Sequence, residues 1–381
     1  MKTTTVRSVG SMTAALFAAW TLAGSAQAQV KVGEEEPYSA SLASAEPTGT
    51  SGPFTVYREI VYLAGATFIR VHFSEFDLAE GESLTVSDPE GLHQHTYSGR
   101  GPRDSGEFWS FSIDGERAIV TVYSLGGGAS RYEIDRVARG FDSADMIPEQ
   151  VCGSDGRRDI ACYSQGPRRS LPVARLLYQD GGSFLCTGWL VRGRLSSTMM
   201  TNNHCIDSQA VLNTLEARFN YRYTNCGGAI DAPFFVFGGG TFLRTSVALD
   251  YSLMTLAGDP EGAGAGEFVP TSQVTAVNDR FVLPQHPGGR RKEVGVFEDA
   301  AQTVACRIDT VHASVGGYQA GSQMLYECDT EGGSSGSPVL RLPDLRAIAI
   351  HHIALGGLPC SNGATHMDNI CTNAGADLLC E

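Results

Sequence analysis

One stretch of the sequence is more informative than any other: Cys328-Asp329-Thr330-Glu331-Gly332-Gly333-Ser334-Ser335-Gly336-Ser337-Pro338-Val339. It places Ser335 among glycines, which let the backbone turn tightly and expose a hydroxyl, with neighbouring N–H groups aligned to hold an oxyanion. Glycine- and serine-rich loops are also common in ordinary turns. The stretch therefore indicates an acyl-transfer nucleophile only if the chain also supplies a base and an orienting acid.

Two upstream segments contain candidates for both groups. Met199-Met200-Thr201-Asn202-Asn203-His204-Cys205 places a histidine beside a cysteine that could pair back to Cys186. Ala248-Leu249-Asp250-Tyr251-Ser252-Leu253 places Asp250 at the head of an apolar run, where a buried carboxylate needs a partner such as an imidazole N–H. Asp207 is the rival acid. Ser334 and Ser337 are the rival nucleophiles.

In the order His, Asp, Ser, these segments resemble the trypsin/chymotrypsin superfamily, and more closely its secreted microbial branch that includes the lysyl endopeptidases. That branch is similar in its G-x-S-G-S-P and N-H-C motifs, and the resemblance covers about residues 150–372. It implies an all-β fold with two six-stranded antiparallel β-barrels. It also implies that Ser335 is the nucleophile, His204 the general base and Asp250 its orienting acid, with an oxyanion hole formed by the N–H groups of Gly333 and Ser335.

The cysteines are expected to form disulfides, because the signal-like pattern of residues 1–28 predicts that the chain is exported. All ten lie after residue 150, and an even number in an oxidising compartment favours five bridges. None forms a CxxC pair, so we expect no metal site. The resemblance implies the pairs Cys186–Cys205, Cys162–Cys226 and Cys152–Cys360, which leaves Cys306–Cys328 and Cys371–Cys380 as the simplest additional pairs.

Specificity at the scissile bond has two interpretations. By resemblance, Asp329 with its neighbour Thr330, or alternatively Asp368, would form an acidic pocket for Lys or Arg. His351 and His352 stand where glutamyl endopeptidases use a histidine, and a histidine-lined pocket favours a carboxylate. Asp329 also suits a structural turn, and the histidines suit a core or rim. The prediction favours basic residues, partly because a Lys-cleaving enzyme with so few lysines would resist self-digestion; codon bias explains the same shortage.

The chain before the catalytic segments divides into three parts. Residues 1–28 have the basic, apolar and A-x-A pattern of a secretory signal peptide. Residues 29–135 alternate apolar and polar side chains between turn signals, which predicts a small β-sandwich. A pro-domain that assists folding, an accessory domain that binds carbohydrate or protein, and a plain spacer all stay open as its role. Residues 136–150 are polar and predict a linker to the protease domain at 151–381. His72, His93 and His95 lack a partner motif and are predicted to be structural or surface residues.

Composition limits the function classes. The chain has 381 residues and a net charge of −14, and residues 29–150 alone carry 20 acidic and 9 basic side chains. An acidic chain without a long basic cluster argues against nucleic acid as a partner. We expect a secreted, monomeric serine endopeptidase that acts on proteins or peptides, with no cofactor and no membrane contact. The alternatives are a glutamyl-specific enzyme and a secreted binding or adhesion protein that uses the N-terminal sandwich.

Overall fold

The structure is a computed structural model that describes residues 29–126, 130–141, 151–355 and 360–381. The predicted signal peptide and residues 142–150 of the predicted linker lie outside the described residues. No helix among the described residues is long and apolar enough to cross a membrane.

The N-terminal region folds entirely from strands and short turns. Its strands are β1 (Val30–Ser41), β2 (Pro47–Ser51), β3 (Phe54–Tyr62), β4 (Phe68–Asp77), β5 (Ser83–Ser87), β6 (Gln94–Tyr97), β7 (Phe108–Trp109), β8 (Ile113–Asp114), β9 (Arg117–Ser124) and β10 (Arg131–Gly140). The alternating pattern over residues 108–113 predicts one strand, but the structure has two short ones. Between them, Ser110 and Ser112 hydrogen-bond to Val71 and to the Glu216 carboxylate.

Two antiparallel sheets of this region bury one common core. The sheet β2-β3-β9-β5-β6 contributes side chains such as Leu84 and Val120, and β4 with β10 contributes Phe73 and Ile134 to the same cluster. Strand β5 buries alternate residues, with two buried positions among three half-buried ones. The apolar periodicity in the sequence therefore marks the faces that meet.

Strand β1 connects this region to the rest of the molecule. Its residues from Gly33 onward pair with β10, whereas Val30 to Gly33 pair with Leu185 to Ser183 in the strand β13 (Ser183–Leu190). One sheet of eleven strands therefore runs through both regions. The predicted linker boundary was wrong at its start, because residues 136–140 belong to β10, where they pair with β1 on one side and β4 on the other.

The second region begins with a closed six-stranded barrel. Its strands are β12 (Val173–Gln179), β13, β14 (Thr198–Thr201), β15 (Glu216–Phe219), β16 (Phe235–Ser246) and β17 (Tyr251–Leu256). The hydrogen-bonded order is β12-β15-β16-β17-β14-β13, and the pairing of β13 with β12 closes the ring. Buried side chains such as Leu176, Met199 and Met254 fill its interior.

A sheet of eight strands follows, in the order β11-β19-β18-β22-β23-β24-β21-β20. The elements that complete this region are β11 (Arg158–Asp159), β18 (Phe281–Gln285), β19 (Glu293–Gly295), β20 (Thr310–Ala313), β21 (Gln323–Tyr326), β22 (Pro338–Arg341), β23 (Ala347–Leu355), β24 (Ser361–His366), α1 (Gly166–Arg169), α2 (Gln209–Leu212) and α3 (Met367–Ala374). The five disulfides join the same cysteines as the expected pairs.

Candidate active site

The glycine-rich stretch forms a tight loop between the barrel and the eight-stranded sheet. Gly333 and Gly336 have φ values of +91° and +90°, in the left-handed region that favours glycine. A Cβ on Gly333 would lie 3.0 Å from the His286 carbonyl oxygen, so there is no room for a side chain. The carbonyl oxygen of Ser335 accepts the Thr187 N–H of β13 at 2.8 Å. The loop is thereby fixed to the strand that leads toward His204.

His204 and Asp250 form a close pair at the end of the barrel. His204 Nδ1 lies 2.7 Å from Asp250 Oδ2, and the His204 backbone N–H donates to Asp250 Oδ1 at 3.0 Å. Asn202 donates its side-chain N–H to the Asp250 carbonyl oxygen at 2.7 Å. Asp250 follows β16 in a turn with φ of +45°, an uncommon conformation for a residue with a side chain. These contacts fix both the carboxylate and the orientation of the imidazole.

Burial and charge act in opposite directions on Asp250. Burial alone would raise the pKa of its carboxyl group, but the charge and the N–H of His204 outweigh this, with a further contribution from His352. The pKa of Asp250 therefore lies well below its usual range, and the group is ionised at neutral pH. The imidazole of His204 is 20% exposed and its partner carboxylate only 5%. The imidazole can thus be reached from solvent, whereas the carboxylate is sealed.

His352 contacts the same carboxylate. Its Nδ1 lies 3.2 Å from Asp250 Oδ2, without the direction of a hydrogen bond, and its Nε2 lies 2.6 Å from Gln323 Oε1. The ring of Tyr318 packs edge-on against His352, with the ring centroids 4.5 Å apart. Gln323 and Tyr318 were not anticipated, because no sequence motif marks them and the fold alone brings them to His352.

The rival residues have other roles. Ser334 donates its hydroxyl to Gln285 Oε1 at 2.5 Å, and Ser337 donates to the Ser334 carbonyl oxygen at 2.6 Å. Asp207 is exposed. Ser335, His204 and Asp250 therefore remain the candidate triad.

The structure places Asp329 in a structural role. It is fully buried, and its two carboxylate oxygens accept the backbone N–H groups of Cys152 and Gly156, each at 2.7 Å. Burial raises its pKa to about 6, against the lowering effect of those two hydrogen bonds. The carboxylate thus anchors the start of the second region, an attachment that Cys152–Cys360 reinforces.

The remaining specificity candidates divide between the interior and the surface. Thr330 donates its hydroxyl to Asn362 Oδ1 at 3.0 Å, and His351 Nδ1 lies 2.8 Å from the Tyr326 hydroxyl; all four side chains are fully buried. The backbone of His351 bonds to that of Gly336 and Ser337, so it lies directly beside the nucleophile loop. Asp368 instead lines a surface cavity with residues that share polar side chains: Gln319, Asn369, Thr372 and Asn373.

The basic run Arg290-Arg291-Lys292 makes specific contacts with the rest of the protein. Arg290 forms a two-pronged pair with Glu331 at 2.8 and 2.9 Å, and Arg291 pairs with Asp231 at 2.7 Å. Lys292 is buried and donates to the Ser170 carbonyl oxygen at 2.6 Å. Each cation has a specific partner because the turn packs between the barrel and the eight-stranded sheet. The nearby His286 is buried against the Arg290 carbonyl oxygen, as befits a structural residue.

One group of potential metal ligands lies in the site. Cys186, His204 and Cys205 bring ligand atoms within 4.8 Å of one another. The two sulfur atoms are bonded to each other, so neither is available as a thiolate. This disulfide instead fixes the segment that carries His204 to β13.

Sequence comparisons find a matching family and two relatives. The family model described as "Lysyl endopeptidase, C-terminal domain" matches residues 153–369. The chain is 31% identical over 316 residues to "Secreted RxLR effector protein 73" of Plasmopara viticola, covering 77% of this chain and 76% of that protein. It is 28% identical over 249 residues to "Lysyl endopeptidase" of Pseudomonas aeruginosa, covering 57% of this chain and 53% of that protein.

The solved structures that resemble the chain include a Glu endopeptidase, with 17% identity, a TM-score of 0.42 and coverage of 60% of this chain and 99% of that one. Another is a thermostable serine protease, AL20, with 15% identity, a TM-score of 0.40 and coverage of 53% and 93%. The all-β fold, its closed barrel and the matched motifs together define a trypsin-like serine protease class. Within that class, the chain belongs to the lysyl endopeptidase C-terminal domain family.

Proposed function

We propose that this protein is a secreted serine endopeptidase. Ser335 Oγ attacks the scissile carbonyl carbon while His204 takes the hydroxyl proton, and the C–N bond breaks as His204 returns that proton to the leaving amine. A water molecule then releases the acyl group by the same route. Asp250 holds the imidazole in the tautomer that has its proton on Nδ1 and stabilises the imidazolium that forms.

The observation that carries the proposal is the pair of contacts between His204 and Asp250, 2.7 Å side chain to side chain and 3.0 Å backbone to side chain. Both are set beside the nucleophile loop by the Thr187–Ser335 backbone bond and the Cys186–Cys205 disulfide. The N–H groups of Gly333 and Ser335 would form the oxyanion hole, in which one donor typically lowers the activation barrier by about 3 kcal/mol.

For the residue before the scissile bond we propose a carboxylate side chain, in place of the basic residue that the sequence favoured. Both oxygens of Asp329 accept backbone N–H groups, which leaves no free carboxylate for a Lys or Arg side chain. Thr330, His351 and Asn362 instead place polar groups other than a carboxylate next to the nucleophile loop. Lysine is the competing substrate, supported by the names of the family and of the Pseudomonas relative.

We further propose that the eight-stranded sheet forms the second barrel and that the two N-terminal sheets form a sandwich. The region from residue 151 is the protease domain, and the N-terminal sandwich accompanies it as a pro- or accessory domain. We expect the enzyme to act as a monomer on protein or peptide substrates. An adhesion protein with an idle protease fold is the alternative, and the intact His204–Asp250 pair argues against it.

Hydrolysis of matched ester and amide peptides tests the proposal. We expect wild-type protein to cleave them and Ser335→Ala to show none of that turnover. Peptides that carry Glu, Gln, Lys or Arg before the scissile bond decide the specificity, and we expect Glu to exceed Lys in kcat/KM by at least about tenfold, the scale of one buried polar contact. Absence of turnover by wild type would refute the enzyme, whereas a preference for Lys would refute only the carboxylate pocket.

A further inference from the structure

One edge of β13 receives three partners in succession. β12 pairs along the opposite edge. On this edge, β14 pairs with Trp189 and Leu190, the Ser335 carbonyl oxygen accepts the Thr187 N–H, and β1 pairs with residues 183–185. Val30 of β1 stands opposite Leu185, two residues from Thr187, a distance of about 7 Å along a strand. The N-terminal strand therefore begins directly beside the candidate nucleophile.

The direction of β1 matches that of a leaving peptide. Gln29 donates its side-chain N–H to the His204 carbonyl oxygen at 2.5 Å, and from there β1 runs antiparallel to β13 until Gly33 stands opposite Ser183. In the proposed reaction His204 gives its proton to the leaving amine, so the released peptide must start at His204. Such a peptide also runs from its N-terminus away from the site, as β1 does.

Backbone pairing and one apolar side chain hold this strand in place. Val32 is 3% exposed and packs with Phe68, Leu177 and Leu185. The side chain of Lys31 points outward and pairs with Glu34 at 2.8 Å. This is the pattern of an extended peptide added to a sheet edge, in which the main chain supplies affinity and alternate side chains supply selectivity.

We infer that residues 29–32 occupy, within the same chain, the binding track for the part of a substrate that follows the scissile bond. The inference rests on the proposed function. The track takes an extended peptide with a small apolar side chain in the position of Val32. A substrate with a long leaving segment must first displace the strand, whereas a substrate with a single small leaving group need not.

The strand competes strongly because it is tethered. The rest of β1, from Glu34 to Ser41, pairs with β10 and not with β13. A short tether of this kind gives an effective concentration in the millimolar range. The N-terminal region thereby selects against long substrates without covering the nucleophile itself.

A proline at position 30 tests the inference in the full-length chain. The Thr187 N–H faces this edge of β13, so the backbone of Leu185, two residues away, faces it too and exchanges hydrogen bonds with Val30, which stands opposite. Val30→Pro removes the Val30 N–H and its hydrogen bond, whereas Val30→Ala keeps it and is the matched control. The measurement is the ratio of kcat/KM for a peptide with five residues after the scissile bond to kcat/KM for an ester with the same preceding residues.

We expect Val30→Pro to raise this ratio roughly fivefold, the value of one hydrogen bond, and Val30→Ala to change it far less. A variant whose mature chain begins at Gly33 should raise the ratio further. Adding the peptide Gln-Val-Lys-Val-Gly-Glu to that variant should increase KM for the long substrate only, and a scrambled peptide should not.

An unchanged ratio in both the proline and truncated variants, with normal ester turnover, would overturn the inference alone. Absence of ester turnover in wild type would overturn the proposed function and the inference with it. Anisotropy of the labelled peptide with the truncated Ser335→Ala variant provides a readout that needs no turnover. Equal binding to the truncated protein and to the same Ser335→Ala variant with its full N-terminus would also contradict the inference.

Discussion

The two regions of the molecule each contain a close histidine–carboxylate pair, and the pairs differ in which partner is buried. In the region from residue 151, the His204 side chain is 20% exposed and that of Asp250 is 5% exposed. In the N-terminal region, His72 Nδ1 lies 2.5 Å from Asp135 Oδ1, but His72 is 4% exposed and Asp135 is 41% exposed. A short distance between an imidazole and a carboxylate therefore does not by itself identify a catalytic site.

The surroundings explain the difference. His72 is covered by Trp109, whose ring centroid is 4.9 Å away, and by the guanidinium of Arg136, which lies over the same indole. The imidazole of His72 is enclosed in this way, so a substrate cannot reach it. Asp250 is sealed by backbone contacts while His204 faces outward, so the proton can move between His204 and a bound substrate. The order of burial, with the carboxylate inside and the imidazole outside, distinguishes the proposed catalytic pair from the pair in the N-terminal region.

Exchanging each carboxylate for its amide is the strongest test of this comparison. We expect Asp250→Asn to lower kcat by about 10⁴-fold, because the amide no longer accepts the Nδ1 proton and the wrong tautomer results. Asp135→Asn should leave kcat within about twofold, since surface substitutions have small effects. Steady-state kinetics on the best ester substrate measures both. A comparable loss in Asp135→Asn would show that the N-terminal pair takes part in the reaction.

A matched pair of glycines sharpens the contrast. Gly333 has φ of +91° and a crowded Cβ position, whereas Gly115 in the N-terminal region has φ of +99° and no atom within 4 Å of that position. Gly333→Ala should reduce kcat by about 10²- to 10³-fold by displacing an oxyanion donor. Gly115→Ala should cost about 1 kcal/mol of unfolding free energy and leave kcat unchanged. Kinetics and denaturant unfolding of both variants separate these effects, and a normal kcat in Gly333→Ala would exclude that loop as the oxyanion hole.

The sequence predicted the parts of the molecule that depend on local motifs. Ser335, His204 and Asp250 each stand in a short motif that can be recognised in the sequence, and the disulfide pairing followed from the resemblance. Long-range contacts were beyond reach. Nothing near Val30 indicates that its strand pairs with β13, and nothing near Asp329 indicates that its oxygens bind the backbone of residues 152 and 156. His352 was singled out by position, but its partner Gln323 is apparent only in the folded chain.

The two regions also differ in covalent support, which gives a third prediction. All ten cysteines lie in the region from residue 151, and Cys186–Cys205 closes a loop of 19 residues beside His204. Replacing both cysteines with serine should lower the unfolding free energy of this region by about 3 kcal/mol. Hydrogen exchange should show lost protection there and little change in residues 29–126. Equal loss in both regions would mean that they unfold as one unit.

The smallest expected effect is on the pH dependence of stability, and it concerns two buried basic side chains. Burial lowers the pKa of Lys292 from 10.5 to about 7, so between these values the unfolded chain binds a proton that the folded chain does not. Stability must therefore rise with pH across this window, by about 1.4 kcal/mol per unit, or about 2 kcal/mol from pH 7 to pH 8.5. Lys292→Met should remove that slope.

Arg70 is the matched control. It is buried in the N-terminal region, donates to the carbonyl oxygens of Ser110 and Thr214, and keeps its charge. Arg70→Met should therefore retain the pH slope while lowering the unfolding free energy at every pH. Urea unfolding at pH 7, 7.8 and 8.5 measures both variants, and parallel curves for wild type and Lys292→Met would show that Lys292 keeps its proton in the folded protein.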